Sequence, residues 1–217
     1  MNIISVLLSF IVAAQATDLQ GIGGKNLILK PLEGKTGEAR ALIFISGSGC
    51  DQESYVPHMK AIQEKVAFPL WVGLPHILGE QAIPPVVGFY IDNMQAEFKT
   101  LGVTPKKFFY GGHSLGAAAV SAWGHKNPET VEAVFVEGGY APMAIEDPAL
   151  NYGAPFLTVG AEFDGWMARI TRMAEAYDEM TSSKLGYDKS KYSYPVVVLP
   201  GLGHASFLSG TPPPTVQ

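Results

Sequence analysis

One serine stands out because its neighbours could expose and activate its hydroxyl group. Ser114 lies at the centre of the pentapeptide Gly112-His113-Ser114-Leu115-Gly116. An apolar run at residues 107–110 precedes it, and an Ala-rich stretch at residues 115–125 follows it. A serine on a tight strand-to-helix turn needs glycines two residues to either side, because larger side chains would collide with the neighbouring chain. The N–H groups and positive dipole end of the following helix could then stabilise an oxyanion, so this pattern predicts a serine nucleophile.

A nucleophilic serine needs a base, and an acidic partner must orient that base. The sequence has five histidines, namely His58, His76, His113, His125 and His204. His58 lies in a helical pattern, and His125 ends the helix that follows Ser114, far from its N-terminus. His204 lies in a loop after the last apolar run, and the glycines on either side of Leu202 would let this loop carry the imidazole back over the edge of a sheet. This loop favours His204 as the base.

Short apolar runs alternate with helical patterns along the chain. The runs occupy residues 26–30, 41–45, 69–74, 107–110, 131–136, 155–159 and 194–199. Their β-branched and aromatic composition is typical of strands buried on both faces of a parallel sheet. The helical patterns occupy residues 54–66, 86–101, 115–125 and 166–180. We therefore expect an α/β fold with a mostly parallel, doubly wound sheet and helices on both faces.

The pentapeptide around Ser114 and its strand-to-helix setting resemble those of the α/β-hydrolase superfamily of esterases and lipases. Gly-His-Ser-Leu-Gly is a common form of the nucleophile elbow in that superfamily, and the resemblance extends over about residues 41–207. It implies the α/β-hydrolase fold and the chain order nucleophile, acid, base. In that order the base follows the last strand, a position that matches His204.

The resemblance also implies an acid at the end of the penultimate strand. The run at residues 155–159 ends in Gly160, and Asp164 follows within the next few residues, which matches the superfamily's acid position. Glu162 is the nearest rival. Glu137 is a second alternative, because some relatives place the acid at the tip of the preceding strand. We expect Asp164 to orient His204.

Two backbone N–H groups should face the oxyanion that develops on the substrate. One is the N–H of Leu115, directly after the nucleophile. The resemblance implies that the other comes from the loop after the first buried strand. Many relatives carry His-Gly at the start of this loop, whereas this chain has Ser46-Gly47. Alignment to the residue after that pair assigns the second donor to Ser48, with Gly47 as the alternative.

We expect only a small part of the chain to cover the predicted active site. Many relatives insert a helical lid between the runs at residues 131–136 and 155–159, but here this segment is short and contains Pro142 and Pro148. We therefore expect a minimal lid. After His204 the chain continues into a Pro-rich tail, although the superfamily usually places a C-terminal helix there. Either the core is compact without that helix, or a partner or a homodimer covers one partly bare sheet face.

Residues 1–16 have the character of a signal peptide. An apolar run of about ten residues is followed by Ala14-Gln15-Ala16, a small-x-small site of the kind that signal peptidase cleaves. The run is too short to cross a bilayer, which needs roughly 20 residues, so we expect no stable membrane span. The alternative is a buried N-terminal strand or helix. We expect a leader at residues 1–16, a single domain at residues 17–217, and secretion or an endomembrane location.

The composition narrows the class of substrate. A chain of 217 residues suits one domain with a sizeable core. The formal net charge of −5 argues against nucleic acid, whose phosphates require a basic surface. We expect a serine hydrolase that cleaves a small-molecule ester or a lipid without a cofactor or a metal. The alternatives are a lipase, thioesterase or peptidase that uses the same triad of Ser114, His204 and Asp164, or a non-catalytic binding protein with the hydrolase fold.

Overall fold

A computed structural model describes residues 24–141, 152–165, 167–182 and 194–210. The leader at residues 1–16, most of the lid segment and the Pro-rich tail lie outside the described residues. Within them, the chain forms seven strands, four α-helices and several short 3-10 turns.

The seven strands form one sheet in the order β1-β3-β2-β4-β5-β6-β7. They are β1 (Leu27–Leu29), β2 (Arg40–Ile45), β3 (Leu70–Leu74), β4 (Phe108–His113), β5 (Val131–Glu137), β6 (Phe156–Ala161) and β7 (Val196–Leu199). β1 pairs antiparallel with β3, and all other neighbours are parallel. The predicted α/β class and the mostly parallel sheet are confirmed.

The strand β2 explains why the sheet must be covered on both faces. Its residues from 41 to 45 are all buried and apolar. Because successive side chains of a strand point to opposite faces, Ile43 and Ile45 join one hydrophobic cluster while Leu42 and Phe44 join another. A strand with two buried faces therefore requires a helical layer on each side.

The four helices are divided unequally between these layers. They are α1 (Val56–Lys65), α2 (Val87–Thr100), α3 (Leu115–Lys126) and α4 (Ile170–Met180). Buried residues of α2, α3 and α4 belong to the first cluster, whereas Met59 of α1 belongs to the second. The buried residues of α3 are nearly all small, so its backbone can pack closely on the sheet. Within the described part of the chain, no helix has the length and the apolar character needed to cross a membrane.

An apolar groove lies beside α1 on the second sheet face. It has a volume of about 580 Å³ and runs over β5, β6 and β7. Its apolar lining includes Ile62, Phe135, Leu157, Val159, Leu199 and Phe207. His58 and Glu137 also border it. The homodimer or partner that would cover a bare sheet face stays a prediction.

Candidate active site

Ser114 connects the end of β4 to the start of α3 in a strained backbone conformation. Its φ and ψ angles are 54° and −118°, and of the described non-glycine residues only Ser114 and Glu80 have a positive φ. Such a conformation costs about 1–3 kcal/mol and persists only where its surroundings impose it. The Ser114 N–H donates to the Glu137 carbonyl oxygen at 2.9 Å, and its carbonyl oxygen accepts from the Ala118 N–H at 3.2 Å. The backbone of the serine is therefore held on both sides.

The two glycines of the pentapeptide are required by close contact between chain segments. A Cβ atom on Gly112 would lie 2.5 Å from the carbonyl oxygen of Gly116. A Cβ atom on Gly116 would overlap the carbonyl oxygens of Ile45 and Ser46, where β2 ends. The turn can thus be this tight only because neither position has a side chain, which is the steric reason that the sequence motif predicts.

Asp164 and His204 form a buried hydrogen-bonded pair. His204 Nδ1 lies 2.6 Å from Asp164 Oδ2, and the side chains are 8% and 0% exposed. The other oxygen of the carboxylate, Oδ1, accepts from the N–H groups of Met167 at 3.2 Å and Ala168 at 3.4 Å. Because these donors favour the ionised carboxylate, Asp164 is suited to hold a hydrogen on Nδ1 and leave Nε2 as the basic nitrogen.

The two rival acids have other partners. Glu137 is buried at the end of β5, but its Oε1 lies 2.7 Å from His58 Nε2 on α1. Glu162 is on the surface, and its Oε2 accepts from the Gly201 N–H at 2.7 Å. Of the three carboxylates considered from the sequence, Asp164 is the one hydrogen-bonded to the His204 imidazole.

The loop that carries His204 packs directly against the elbow. The His113 and His204 ring centroids are 4.8 Å apart, and His113 Nε2 lies 3.0 Å from the carbonyl oxygen of His204. Gly138, whose φ is +55°, lies so close that a Cβ atom there would be 3.0 Å from His204 Cε1. The base predicted from the sequence is therefore held next to the residue that precedes the predicted nucleophile.

Met167 is a site residue that the sequence pattern placed elsewhere. We expected a helix over residues 166–180, which would include Met167, but α4 begins only at Ile170. The chain instead forms a turn around Asp164, whose Oδ1 accepts the N–H groups that would otherwise start the helix. This turn brings Met167 Sδ to 3.6 Å from Ser114 Oγ. An aspartate just before a helical pattern is the signal for such a turn.

The loop after β2 lies over the nucleophile. A Cβ atom on Gly47 would be 3.2 Å from Ser114 Cβ, so no side chain fits there. The Gly47 N–H already donates to Tyr55 Oη at 2.9 Å, which leaves it unsuited as an oxyanion donor. Among the described residues, the N–H groups of Ser48 and Leu115 have no hydrogen-bond acceptor. This geometry favours Ser48 over Gly47 as the second donor.

Two other histidines near the site have shifted pKa values. Burial, together with the nearby His204, lowers the pKa of His113 to about 3, so the ring is neutral at physiological pH. The hydrogen bond with Glu137 raises the pKa of His58 from its usual 6.5, although partial burial opposes the shift. Among the residues that the structure describes, no three His, Cys, Asp or Glu side chains are grouped so that they could hold a metal ion.

Replacement of Gly116 by alanine should destabilise the protein. In an ordinary helix this substitution is favourable by up to about 1 kcal/mol, but here the added methyl group would meet the end of β2. We expect a loss of about 1–3 kcal/mol in the free energy of unfolding, measured by urea denaturation. Gly165→Ala is the control, because its added methyl would meet open space. An unchanged stability in Gly116→Ala would contradict the steric interpretation of the elbow.

The His58–Glu137 pair should make stability depend on pH. Because folding raises the pKa of His58, the contribution of this group is fully present below pH 6.5 and is lost as the pH rises through the folded value. His58→Gln keeps a neutral donor for Glu137 at every pH. The difference in unfolding free energy between the wild type and His58→Gln should therefore be larger near pH 6 than near pH 8. His76→Gln is the control. If the difference in unfolding free energy between the wild type and His58→Gln stays the same from pH 6 to pH 8, the raised pKa of His58 is contradicted.

Comparison with known proteins identifies the fold. No model of a known protein family matches the sequence, and no curated protein is detectably similar to it. MGS-MChE2, an alpha/beta hydrolase enzyme from a lagoon-sediment metagenome of Mar Chica, Morocco, is 14% identical, with a TM-score of 0.54 over 86% of this chain and 90% of that chain. Esterase PE8 is 16% identical, with a TM-score of 0.62 over 84% and 92%. Est1E from Butyrivibrio proteoclasticus is 12% identical, with a TM-score of 0.61 over 82% and 85%. The chain therefore has the α/β-hydrolase fold, as the elbow motif predicts.

Proposed function

We propose that this protein is a serine hydrolase that cleaves carboxylic esters through an acyl-enzyme. The observation that carries the proposal is the buried His204–Asp164 hydrogen bond of 2.6 Å, next to a serine in a strained elbow. A binding protein has no need for a serine with a φ of 54°, since that conformation costs stability without improving packing. The esterases among the structures of similar fold support the same reaction class.

In the proposed mechanism, Ser114 Oγ attacks the carbonyl carbon while His204 Nε2 accepts the hydroxyl proton. Asp164 holds the Nδ1 hydrogen and stabilises the imidazolium. The N–H groups of Ser48 and Leu115 donate to the oxyanion of the tetrahedral intermediate. Collapse of that intermediate breaks the ester bond, and the imidazolium donates its proton to the departing alcohol. Water, activated by the same imidazole, then releases the acid and restores Ser114.

The proposed substrate class rests on the charge of the protein. We propose a small-molecule ester or a lipid, since an acidic protein is poorly suited to bind nucleic acid. Lipase, thioesterase and peptidase activities would use the same groups, and the acyl and leaving groups accepted distinguish them. The proposal includes export of the protein by the leader at residues 1–16.

A fluorophosphonate probe should label the wild type at one site, because the activated serine attacks phosphorus as it attacks a carbonyl. Ser114→Ala should abolish labelling, as measured by intact-mass spectrometry. Ser121→Ala is the matched control, since Ser121 is buried on the same helix but has no part in the proposed chemistry. Hydrolysis of p-nitrophenyl esters of increasing acyl length would then separate esterase from lipase activity. Labelling that persists in Ser114→Ala would refute the assignment of the nucleophile.

The identity of the acid can be tested with two isosteric variants. Asp164→Asn should lower kcat by roughly 1,000- to 10,000-fold, because the amide cannot hold His204 in the required tautomer. Glu137→Gln should retain near wild-type kcat, since its side chain is hydrogen-bonded to His58. Both variants are compared by steady-state hydrolysis of one p-nitrophenyl ester. The opposite result, with the larger loss in Glu137→Gln, would assign the acid to the end of β5.

A further inference from the structure

A chain of buried hydrogen bonds connects three parts of the site that are far apart in sequence. The Gly47 N–H donates to Tyr55 Oη at 2.9 Å, and Tyr55 Oη lies 2.8 Å from His113 Nδ1. His113 Nε2 lies 3.0 Å from the carbonyl oxygen of His204. Tyr55 and His113 are both fully buried. These contacts join the loop after β2, the elbow and the loop of the proposed base.

The direction of each bond in this chain of hydrogen bonds follows from which groups can donate and which can accept. The carbonyl oxygen of His204 can only accept, so His113 Nε2 must carry a hydrogen. The buried His113 ring is neutral, so its Nδ1 has a free lone pair and accepts. The hydroxyl group of Tyr55 therefore donates to Nδ1, and its oxygen accepts from the Gly47 N–H. The Tyr55 hydroxyl group and the His113 ring each donate one hydrogen bond and accept another, so neither can be replaced by a group that only donates or only accepts.

The chain of hydrogen bonds joins three segments, and each of them holds one part of the proposed catalytic machinery. Gly47 precedes Ser48, the proposed oxyanion donor, and His113 precedes the nucleophile. The third segment carries His204 itself. We propose that Tyr55 is a positioning residue that, through His113, aligns the oxyanion loop and the loop of the base with Ser114. This inference rests on the proposed ester hydrolysis.

The position of the Tyr55 hydroxyl group is set by packing rather than by the hydrogen bonds alone. Its ring lies 5.0 Å from the Phe44 ring and 5.9 Å from the His113 ring, measured between centroids. A Cβ atom on Gly47 would lie only 3.2 Å from Tyr55 Oη, so the loop approaches the hydroxyl group this closely because position 47 has no side chain. Loss of the hydroxyl group would leave the Gly47 N–H and His113 Nδ1 without partners in a dry interior. The loop would then have to shift to recover a hydrogen bond.

Tyr55→Phe tests the role of this hydroxyl group. A displacement of about 1 Å in a reacting or stabilising group can lower the rate about 100-fold, so we expect kcat to fall by roughly 10- to 100-fold with KM nearly unchanged. Tyr152→Phe is the matched control. Its hydroxyl group is equally buried and donates to the Ser121 carbonyl oxygen at 2.8 Å, away from the elbow. We expect a similar loss of thermal stability in both variants but wild-type kcat in Tyr152→Phe.

Nitrogen NMR of the His113 imidazole adds a readout that does not require turnover. In the wild type, Nε2 should be protonated and Nδ1 unprotonated, and the Nδ1 resonance should move in Tyr55→Phe but not in Tyr152→Phe. A wild-type kcat in Tyr55→Phe, or a His113 ring protonated at Nδ1, would overturn the inference. Failure of the proposed function looks different, because the wild type itself would then neither hydrolyse esters nor react with the fluorophosphonate probe.

Discussion

The close approach of the start of α3 to the end of β2 is the constraint on which the rest of the site depends. Gly116 lies against the carbonyl oxygens of Ile45 and Ser46, and the turn that brings it there includes the strained conformation of Ser114. The strain at Ser114 is sustained by hydrogen bonds to β5 and to α3. The same approach brings the loop after β2 over the serine, so the position of the proposed nucleophile and the placement of the loop that carries the proposed oxyanion donor share one steric cause.

Two histidine–carboxylate pairs lie close to the elbow, and they differ in their surroundings. Asp164 accepts two backbone N–H groups besides His204, and both members of that pair are buried. His58 is about one-third exposed and pairs with Glu137 beside the apolar groove. A buried carboxylate that also accepts hydrogen bonds from backbone N–H groups is suited to orient an imidazole, whereas the His58 pair connects α1 to the end of β5. The fold thus uses two histidine–carboxylate pairs for different purposes.

Much of the architecture could be predicted because it depends on local pattern. The strand at residues 41–45 and the helix after Ser114 follow from apolar composition and small residues, and both are present. The start of α4 could not be predicted from periodicity. The preceding segment wraps around Asp164 to satisfy a buried carboxylate, and that demand overrides helical propensity. The start of such a helix can be predicted only when the hydrogen-bond partners of the buried carboxylate are known.

The sequence by itself determined the elbow, the order of strands and helices, and the candidates for acid and base, since each of these depends on residue type and spacing. Only the tertiary structure decided which carboxylate meets His204 and that Tyr55 joins His113. Tyr55 and His113 are 58 positions apart, and they meet because β2 and β4 are adjacent parallel strands whose ends lie at one edge of the sheet. Contacts between loops at such an edge depend on strand order and register, which no single segment of the chain encodes.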